Sequence, residues 1–313
     1  MAWQQTLQHK LVLSGVGLHT GQPAHCELLP AVADTGIVFV RTDLAGQPEI
    51  AVTLENLVGT TLATTLGVTH RGVRAQVGTV EHLLCALHGL GVDNARVLID
   101  GPEVPVLDGS ALVWAQAIAA AGVEALAVPR SYLRIRREVR VQDGRKWAVI
   151  SPHTGLRISC SLDFDHPLID QLPYRYDADA ERFLRDIAPA RTFCFRAEID
   201  ALKARGFAQG GSLHNAIVID GYQVLNPEGL RFPDEFVRHK VLDALGDLSL
   251  FGQRILGKLE LHCSGHALNT ALVKATLSDP RNVERVRLNP AGAKGALQVR
   301  QNFDCLGAVK GLA

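Results

Sequence analysis

The sequence predicts an α+β fold made of two similar domains, and three observations support this prediction. Short apolar runs of strand length alternate with segments of helical periodicity. The alternation breaks near residue 128 and then restarts. The order of helix, strand, turn and second helix in one half occurs again in the other. We therefore predict one α+β domain at 1–127 and a second at 128–302.

The first half is predicted to contain strands and two helices. Apolar or alternating runs bounded by turn residues predict strands at 11–16, 36–40 and 95–99. Residues 80–87 have helical periodicity, and Gly89 and Gly91 end this helix. A second, alanine-rich helix begins at the turn 108–111 and ends near Gly122.

The second half repeats this order after strand-like alternation restarts at 132–136. The matching segments are 82–87 with 240–245, 96–99 with 258–261, and 108–111 with 264–267. This match indicates an ancient duplication, with chance identity as the alternative. If the halves are duplicates, their first helices face each other and side chains from both converge.

An extra element lies inside the second half. A strand at 192–195, a helix at 197–205 and a strand at 216–219 predict a βαβ insert at about 192–220. Such an insert would form a lid or an apolar groove, and the alternative is an edge element without function.

The composition is that of a globular protein. Hydrophobic residues make up 47% of the chain and charged residues 20%, which suffices for a sizeable core. The 32 basic side chains equal the 32 acidic ones, which argues against a general nucleic-acid binder. A small local basic pocket for phosphate remains compatible with this balance.

The chain shows no secretory signal and no apolar run of transmembrane length, so we expect a cytoplasmic protein without an integral membrane segment. Its six cysteines are scattered without a C-x-x-C pair. Reduced thiols are therefore expected, with neither a disulfide framework nor a thiolate zinc site.

The strongest chemical signal lies on the helix around 238–247. Successive helical residues turn by about 100°, so His239, Asp243 and Asp247 share one stripe opposite a core-forming face. A His and an Asp four residues apart can bind one metal ion. The alternative is a solvated polar face.

The matching helix of the first half begins with Glu81 and His82. Glu81 has an ordinary explanation, because Thr79 would cap the helix and the helix dipole favours a carboxylate in the first turn. His82 has none, and as a third ligand it would leave the open position of a catalytic zinc. Zinc lowers the pKa of its bound water to about 7, and Glu81 would accept the proton.

Two further side chains have competing interpretations. His266 lies just before a predicted helix and would act as a general acid or stabilise an oxyanion, with Asp247 holding it cationic. Lys240, next to a predicted ligand, would either reach a substrate phosphate or extend into solvent.

These segments resemble the UDP-3-O-acyl-N-acetylglucosamine deacetylases, zinc enzymes of lipid A biosynthesis in Gram-negative bacteria. The segments that carry the resemblance, in chain order, are 15–21, 79–83, 91–94, 105–111, 191–193, 230–247 and 264–269. The resemblance covers nearly the whole chain and is weakest in the tail, which we set at 303–313.

The resemblance implies hydrolysis of the N-acetyl group of UDP-3-O-(3-hydroxyacyl)-N-acetylglucosamine, with release of acetate. It implies Zn²⁺, or alternatively Fe²⁺, as the cofactor. The implied metal ligands are His82, His239 and Asp243. The implied catalytic residues are Glu81 as general base, His266 supported by Asp247, Thr192 donating to the amide oxygen or oxyanion, and Lys240.

The family also has helices packed between sheets and an apolar acyl-chain passage beside its βαβ insert. The implied substrate-binding residues are His19, Leu62, Phe193, Ser212 and Lys240. Relatives carry bulkier or thiol residues where this chain has Thr61 to Ala63 and Ala208, which leaves the preferred acyl length undefined. A monomer is expected.

Two other functions share this ligand pattern. Non-haem iron oxygenases also use two histidines and a carboxylate, but a Glu immediately before one His suits water activation. A metal sensor or structural site would instead have a closed coordination sphere without a base or a second cationic group nearby.

Overall fold

The structure is a computed structural model and describes residues 3–164, 166–169 and 173–287. It is a mixed α+β protein, so the predicted fold class is confirmed at this level. The bounds of the predicted strands at 11–16 and 95–99 agree with the structure, whereas the helix that carries His239 begins earlier, at Glu235.

From residue 3 onward, where the described residues begin, the first half contains ten strands and two α-helices. The strands are β1 Trp3–Leu7, β2 Leu11–Val16, β3 Pro23–Pro30, β4 Ile37–Arg41, β5 Glu49–Ala51, β6 Leu57–Gly59, β7 Thr65–His70, β8 Val73–Val77, β9 Ala95–Ile99 and β10 Val123–Pro129. The helices are α1 Glu81–Gly89 and α2 Leu112–Ala121.

The described part of the second half also contains ten strands, and four helices. The strands are β11 Ser131–Ile135, β12 Val139–Asp143, β13 Lys146–Pro152, β14 Leu156–Ser161, β15 Tyr174–Asp177, β16 Phe193–Phe195, β17 Ile217–Asp220, β18 Gln223–Val224, β19 Arg254–His262 and β20 Val283–Arg287. The helices are α3 Ala180–Arg182, α4 Arg196–Ala204, α5 Glu235–Asp247 and α6 His266–Leu277.

The two largest sheets have the same strand order and directions. In the first half the order is β2-β3-β9-β4-β5, with only the β4–β9 pair parallel. In the second half β12, β13, β19, β14 and β15 follow the same order, with only the β14–β19 pair parallel. The second sheet also includes β11, which pairs in parallel with β19, and β20, which pairs antiparallel with β11.

The helices pack against each other and against these sheets. Helix α1 packs on α5, α2 contacts β2, and α6 contacts β12 and β13. The close approach of α1 and α5 depends on Gly246, because a methyl group there would overlap the main-chain carbonyl of Glu81. A glycine at this contact therefore brings the start of α1 directly against α5.

A small sheet of order β16-β17-β18 lies apart from the two large ones. Strands β16 and β17 are parallel and α4 lies between them in the chain. The predicted boundary at 127/128 falls within β10 and stays a prediction, while 288–302 and the predicted tail at 303–313 lie outside the described residues.

Five of the six cysteines lie among the residues that the structure describes. Cys26, Cys85 and Cys160 are buried and free, and Cys194 and Cys263 are free and partly buried. Within the same residues, no helix combines the length and apolar character that crossing a membrane requires.

Candidate active site

Helices α1 and α5 bring the three predicted metal ligands together. His82, His239 and Asp243 each offer a ligand atom, and these atoms lie within 4.8 Å of one another. Asp243 Oδ1 is 3.2 Å from His239 Nε2 and 3.7 Å from His82 Nε2. All three side chains are buried, so the alternative of a solvated polar face is wrong.

The protonation pattern of this cluster suits a cation. His239 Nδ1 lies 3.0 Å from the Ala190 carbonyl, which can only accept, so Nδ1 carries the proton of the neutral ring. Its Nε2 lone pair then faces Asp243 Oδ1, which has no hydrogen-bond partner among the described residues. Burial lowers the pKa of His239 to about 3 and that of His82 to about 4. Two neutral imidazoles and an unsatisfied carboxylate oxygen are a donor set for a divalent metal.

Lys240 lies against this cluster. Its Nζ is 2.7 Å from Asp243 Oδ2 and 5.4 Å from the centre of the Phe193 ring. Burial opposes ionisation of Asp243, but the cations near it, Lys240 and His266, hold its pKa below the usual range. The alternative in which Lys240 extends freely into solvent is therefore wrong.

Glu81 is buried beside the ligand cluster, at the first position of α1. Its Oε2 accepts a hydrogen bond of 3.0 Å from the Thr64 amide, and Oε1 lies 3.5 Å from His266 Nε2. Burial raises the pKa of Glu81 to about 7, with His266 opposing that rise. A carboxyl with such a pKa can take up or release a proton near neutrality.

The predicted helix cap at Thr79 is wrong. Val80 occupies the N-cap position, and Thr79 Oγ1 instead donates to Glu103 Oε1 over 2.8 Å. Glu103 also accepts hydrogen bonds from the main-chain amides of His19 and Thr20, and it therefore fixes the conformation of the 17–20 loop.

His266 and Asp247 form a pair on the other side of Glu81. His266 Nδ1 is 2.9 Å from Asp247 Oδ2, and Asp247 also accepts from Thr64 Oγ1 at 2.6 Å and Asn269 Nδ2 at 2.8 Å. Burial would lower the pKa of His266, but the carboxylates of Asp247 and Glu81 outweigh it and raise the pKa to about 10. The imidazolium form is thus held beside the ligand cluster.

A cavity of about 450 Å³ lies between the 18–19 loop and the β16-α4-β17 element. Four predicted substrate-binding residues line it, His19, Leu62, Phe193 and Ser212, and so does Thr192, which is predicted to be catalytic. Apolar side chains that include Ile199, Leu202 and Val218 also line it, and the charged residues of its wall belong to α4. The fifth predicted substrate-binding residue, Lys240, lies against Phe193 on the side of the metal ligands. A long apolar group fits this lining better than a polar one.

Thr64, Asn269 and Ala190 are site residues that sequence reasoning did not single out. Thr64 connects Glu81 and Asp247 through its amide and hydroxyl, and Ala190 sets the tautomer of His239. The sequence does carry a signal for Asn269. It lies three residues after His266, and this spacing places both side chains on one face of α6. A backbone carbonyl carries no such signal in the sequence.

Comparison with known proteins supports the same assignment. The LpxC family model, described as UDP-3-O-acyl N-acetylglycosamine deacetylase, matches residues 4–278. The chain is 49% identical over 304 residues to the UDP-3-O-acyl-N-acetylglucosamine deacetylase of Myxococcus xanthus (strain DK1622), covering 94% of this chain and 96% of the relative.

Similar figures apply to two other deacetylases of that name. The protein of Anaeromyxobacter dehalogenans (strain 2CP-C) is 48% identical, with 95% of this chain and 94% of the relative covered. The protein of Shewanella loihica (strain ATCC BAA-1088 / PV-4) is 45% identical, with 89% and 91% covered. The chain therefore belongs to the LpxC family of UDP-3-O-acyl-N-acetylglucosamine deacetylases.

Proposed function

We propose that this protein hydrolyses the N-acetyl group of UDP-3-O-(3-hydroxyacyl)-N-acetylglucosamine and releases acetate, a step of lipid A biosynthesis. One observation carries the proposal beyond family membership. A buried carboxyl, Glu81, lies between a cationic His266 and a three-residue donor set for a metal. This arrangement suits the attack of water on an amide.

His82, His239 and Asp243 would hold the metal, which we propose is Zn²⁺, with Fe²⁺ as the alternative. Bound there, a divalent cation supplies Lewis-acid polarisation of a carbonyl and activation of water for attack. Lys240 neutralises part of the carboxylate charge at Asp243 Oδ2 and leaves Oδ1 for the ion.

Glu81 is proposed as the general base. Because the Thr64 amide occupies Oε2, the proton of the attacking water would arrive at Oε1. This oxygen lies 3.5 Å from His266 Nε2, so the base and the cation face the same space. A positioned base of this kind contributes about 10²- to 10⁴-fold to a rate.

His266 is proposed to stabilise the negative charge that develops on the amide oxygen, or to protonate the leaving amine. Asp247 holds Nδ1–H, which leaves Nε2–H directed at the reaction side. Thr192 is proposed as a second donor to the oxyanion, since its hydroxyl makes no hydrogen bond to another described residue and its chain segment is tied to Gly109 at 2.8 Å. Fixed donors require little reorganisation during the reaction.

The apolar cavity is proposed to accept the 3-hydroxyacyl chain. Leu62, Phe193 and the inner face of α4 would contact the methylene groups, while His19 and Ser212 would contact polar atoms near the sugar. We propose that Lys240 also reaches a polar group of the substrate, and that the protein acts as a monomer.

We also propose that the two halves arose by duplication and that β16, α4 and β17 form the βαβ insert. The shared strand order of the two large sheets supports the first proposal. The parallel β16–β17 pair with α4 between its strands supports the second. Under this proposal α1 and α5 are equivalent helices, which explains why ligands from both halves meet.

An oxygenase or a closed metal-sensor site fits the residues less well. Neither explains a buried carboxyl with a pKa of about 7 opposite a cationic imidazole. The direct test is acetate release from UDP-3-O-acyl-N-acetylglucosamine, measured anaerobically, after chelation and after addition of Zn²⁺. Activity that returns with the metal and needs no oxygen supports the proposal, and release that is indifferent to chelation contradicts it.

A further inference from the structure

A second cavity of about 530 Å³ lies away from the candidate active site. It opens at the C-terminal end of α1, where Leu84, Leu87 and His88 line it, whereas Glu81 and His82 lie at the other end of the helix. Residues from both halves complete the wall. The proposed function makes no use of this cavity.

Four arginines line this cavity, two of them around one carboxylate. Arg130 Nε lies 2.8 Å from Asp93 Oδ2, and Arg254 Nε lies 2.8 Å from Asp93 Oδ1. Their other donors reach neutral oxygens: Arg130 Nη2 donates to the Gly91 carbonyl and to Gln5 Oε1, and Arg254 Nη1 donates to the His88 carbonyl. One carboxylate thus holds two guanidinium groups, and their combined charge is only half neutralised.

Arg285 and Arg287 bring two more guanidinium groups to the cavity. They lie two residues apart on β20 and therefore share one face of the strand. With the Gln253 side-chain amide turned so that its oxygen and nitrogen exchange places, the oxygen accepts from Arg285 Nη2 over 2.9 Å, and this partner is neutral. Across residues 3–164, 166–169 and 173–287, neither arginine forms an ion pair.

The acidic lining is smaller than the basic lining. Besides Asp93, the only carboxylate among the described lining residues is Asp34, which accepts a hydrogen bond of 2.7 Å from Gln4. Burial, followed by the charges of Arg254 and Arg130, holds the pKa of His88 well below its usual range. The cavity therefore combines a positive field with neutral polar donors such as Ser131 and Thr35.

We propose that this cavity is a second binding site, for a small phosphate-bearing anion such as pyrophosphate or the phosphates of a nucleotide. The planar guanidinium group matches phosphate oxygens in a bidentate manner. The volume of about 530 Å³ lies in the range of small-molecule sites. Arg285 and Arg287 provide the charge that the anion neutralises, while Arg130 and Arg254 form the fixed positive floor.

The test is calorimetric titration of the metal-loaded protein with inorganic pyrophosphate, repeated with the R285Q/R287Q variant. Saturable binding by the wild type and at least a tenfold loss of affinity in the double variant are expected, with acetate release unchanged. Arg145→Gln is the control, because Arg145 is an exposed arginine on the turn between β12 and β13. Its affinity for pyrophosphate should match that of the wild type.

Several outcomes would overturn the proposal. They are the absence of saturable binding at millimolar pyrophosphate, equal affinity in the double variant, and binding that disappears on metal removal while surviving R285Q/R287Q. The last outcome would locate the anion at the candidate metal site. Uridine diphosphate is titrated separately to distinguish the two sources of phosphate. If it binds more tightly than pyrophosphate and the double variant retains this affinity, the nucleotide occupies the substrate site instead of the second cavity.

Discussion

His266 Nδ1 lies 2.9 Å from Asp247 Oδ2, and this pair determines the charge of the imidazole ring. Asp247 is completely buried and accepts from Thr64 and Asn269 as well, so its orientation is fixed from three sides. Because the carboxylate is held in place, His266 stays protonated beside Glu81. The Nε2 proton is thereby left for the role that we propose for His266.

The pH profile should show this pair directly. Burial would lower the pKa of His266, but Asp247 and Glu81 raise it to about 10, and the proposed mechanism requires the protonated ring. We expect kcat/KM to be maintained up to about pH 10 and to fall about tenfold per pH unit above it. Reversible recovery on return to pH 8 serves as the folding control. A basic limb unchanged in His266→Gln would contradict this assignment.

Glu81→Ala should separate catalysis from metal binding. The variant should keep the metal, since Glu81 is not among the three grouped donor atoms. Its kcat should fall by about 10²- to 10⁴-fold, as expected for loss of a general base. Metal content by mass spectrometry and kcat for acetate release are measured together. Near-normal turnover would mean that Glu81 is only a carboxylate at a helix end.

His82→Ala should instead lose the metal. The substitution removes the only donor on α1 and leaves the two on α5, His239 and Asp243. We expect the metal content to drop well below one ion per chain and activity to fall with it. His25→Ala, which changes an exposed histidine, is the control and should retain both. Full metal occupancy in His82→Ala would exclude His82 as a ligand.

Thr64→Val tests the link between the base and the His266 pair. The substitution keeps the hydrogen bond from the main-chain N–H of residue 64 to Glu81. It removes the hydroxyl that donates to Asp247 Oδ1. Leaving a buried carboxylate oxygen without this donor should lower the free energy of unfolding by about 1–3 kcal/mol. In the control Thr276→Val, the lost hydroxyl donates only to the Leu272 carbonyl, so a smaller loss is expected. Urea unfolding compares the two, and equal losses would argue against a special role of Thr64.

Gly246→Ala tests the contact between α1 and α5. A methyl group at residue 246 would overlap the Glu81 carbonyl, so α1 and α5 would have to move apart. This movement would also separate the His82 ligand atom on α1 from the ligand atoms on α5. We expect a stability loss of about 1–3 kcal/mol or more, and weaker metal binding. Gly155→Ala, where a Cβ meets no atom within 4 Å, should leave both properties unchanged. Normal metal affinity in Gly246→Ala would show that the close contact is dispensable.

Some of the site follows from sequence because its residues are neighbours on one helix. His239, Asp243 and Asp247 recur every four residues, and any α-helix places such side chains on one face. The segments that resemble the family then implied His82, Glu81 and His266, and the family comparison agrees with that resemblance. The α+β class followed from the alternation of strand and helix patterns.

Other features were decided by contacts between residues far apart in the chain. Lys240 faces a carboxylate instead of solvent, Thr79 binds Glu103 instead of capping α1, and Thr64 joins Glu81 to Asp247. The four arginines around the second cavity come from three separate segments: β20, the start of β19 with Arg254, and Arg130, which lies more than 150 residues before β20.

The sequence by itself therefore determined the fold class, the His239–Asp243 stripe and, through resemblance, the family. Only the tertiary structure decided which atoms face each other, which protons they carry and where the second cavity lies. The physical reason is that helical and strand periodicity relate residues a few positions apart, whereas pKa values and ligand geometry depend on packing between distant segments.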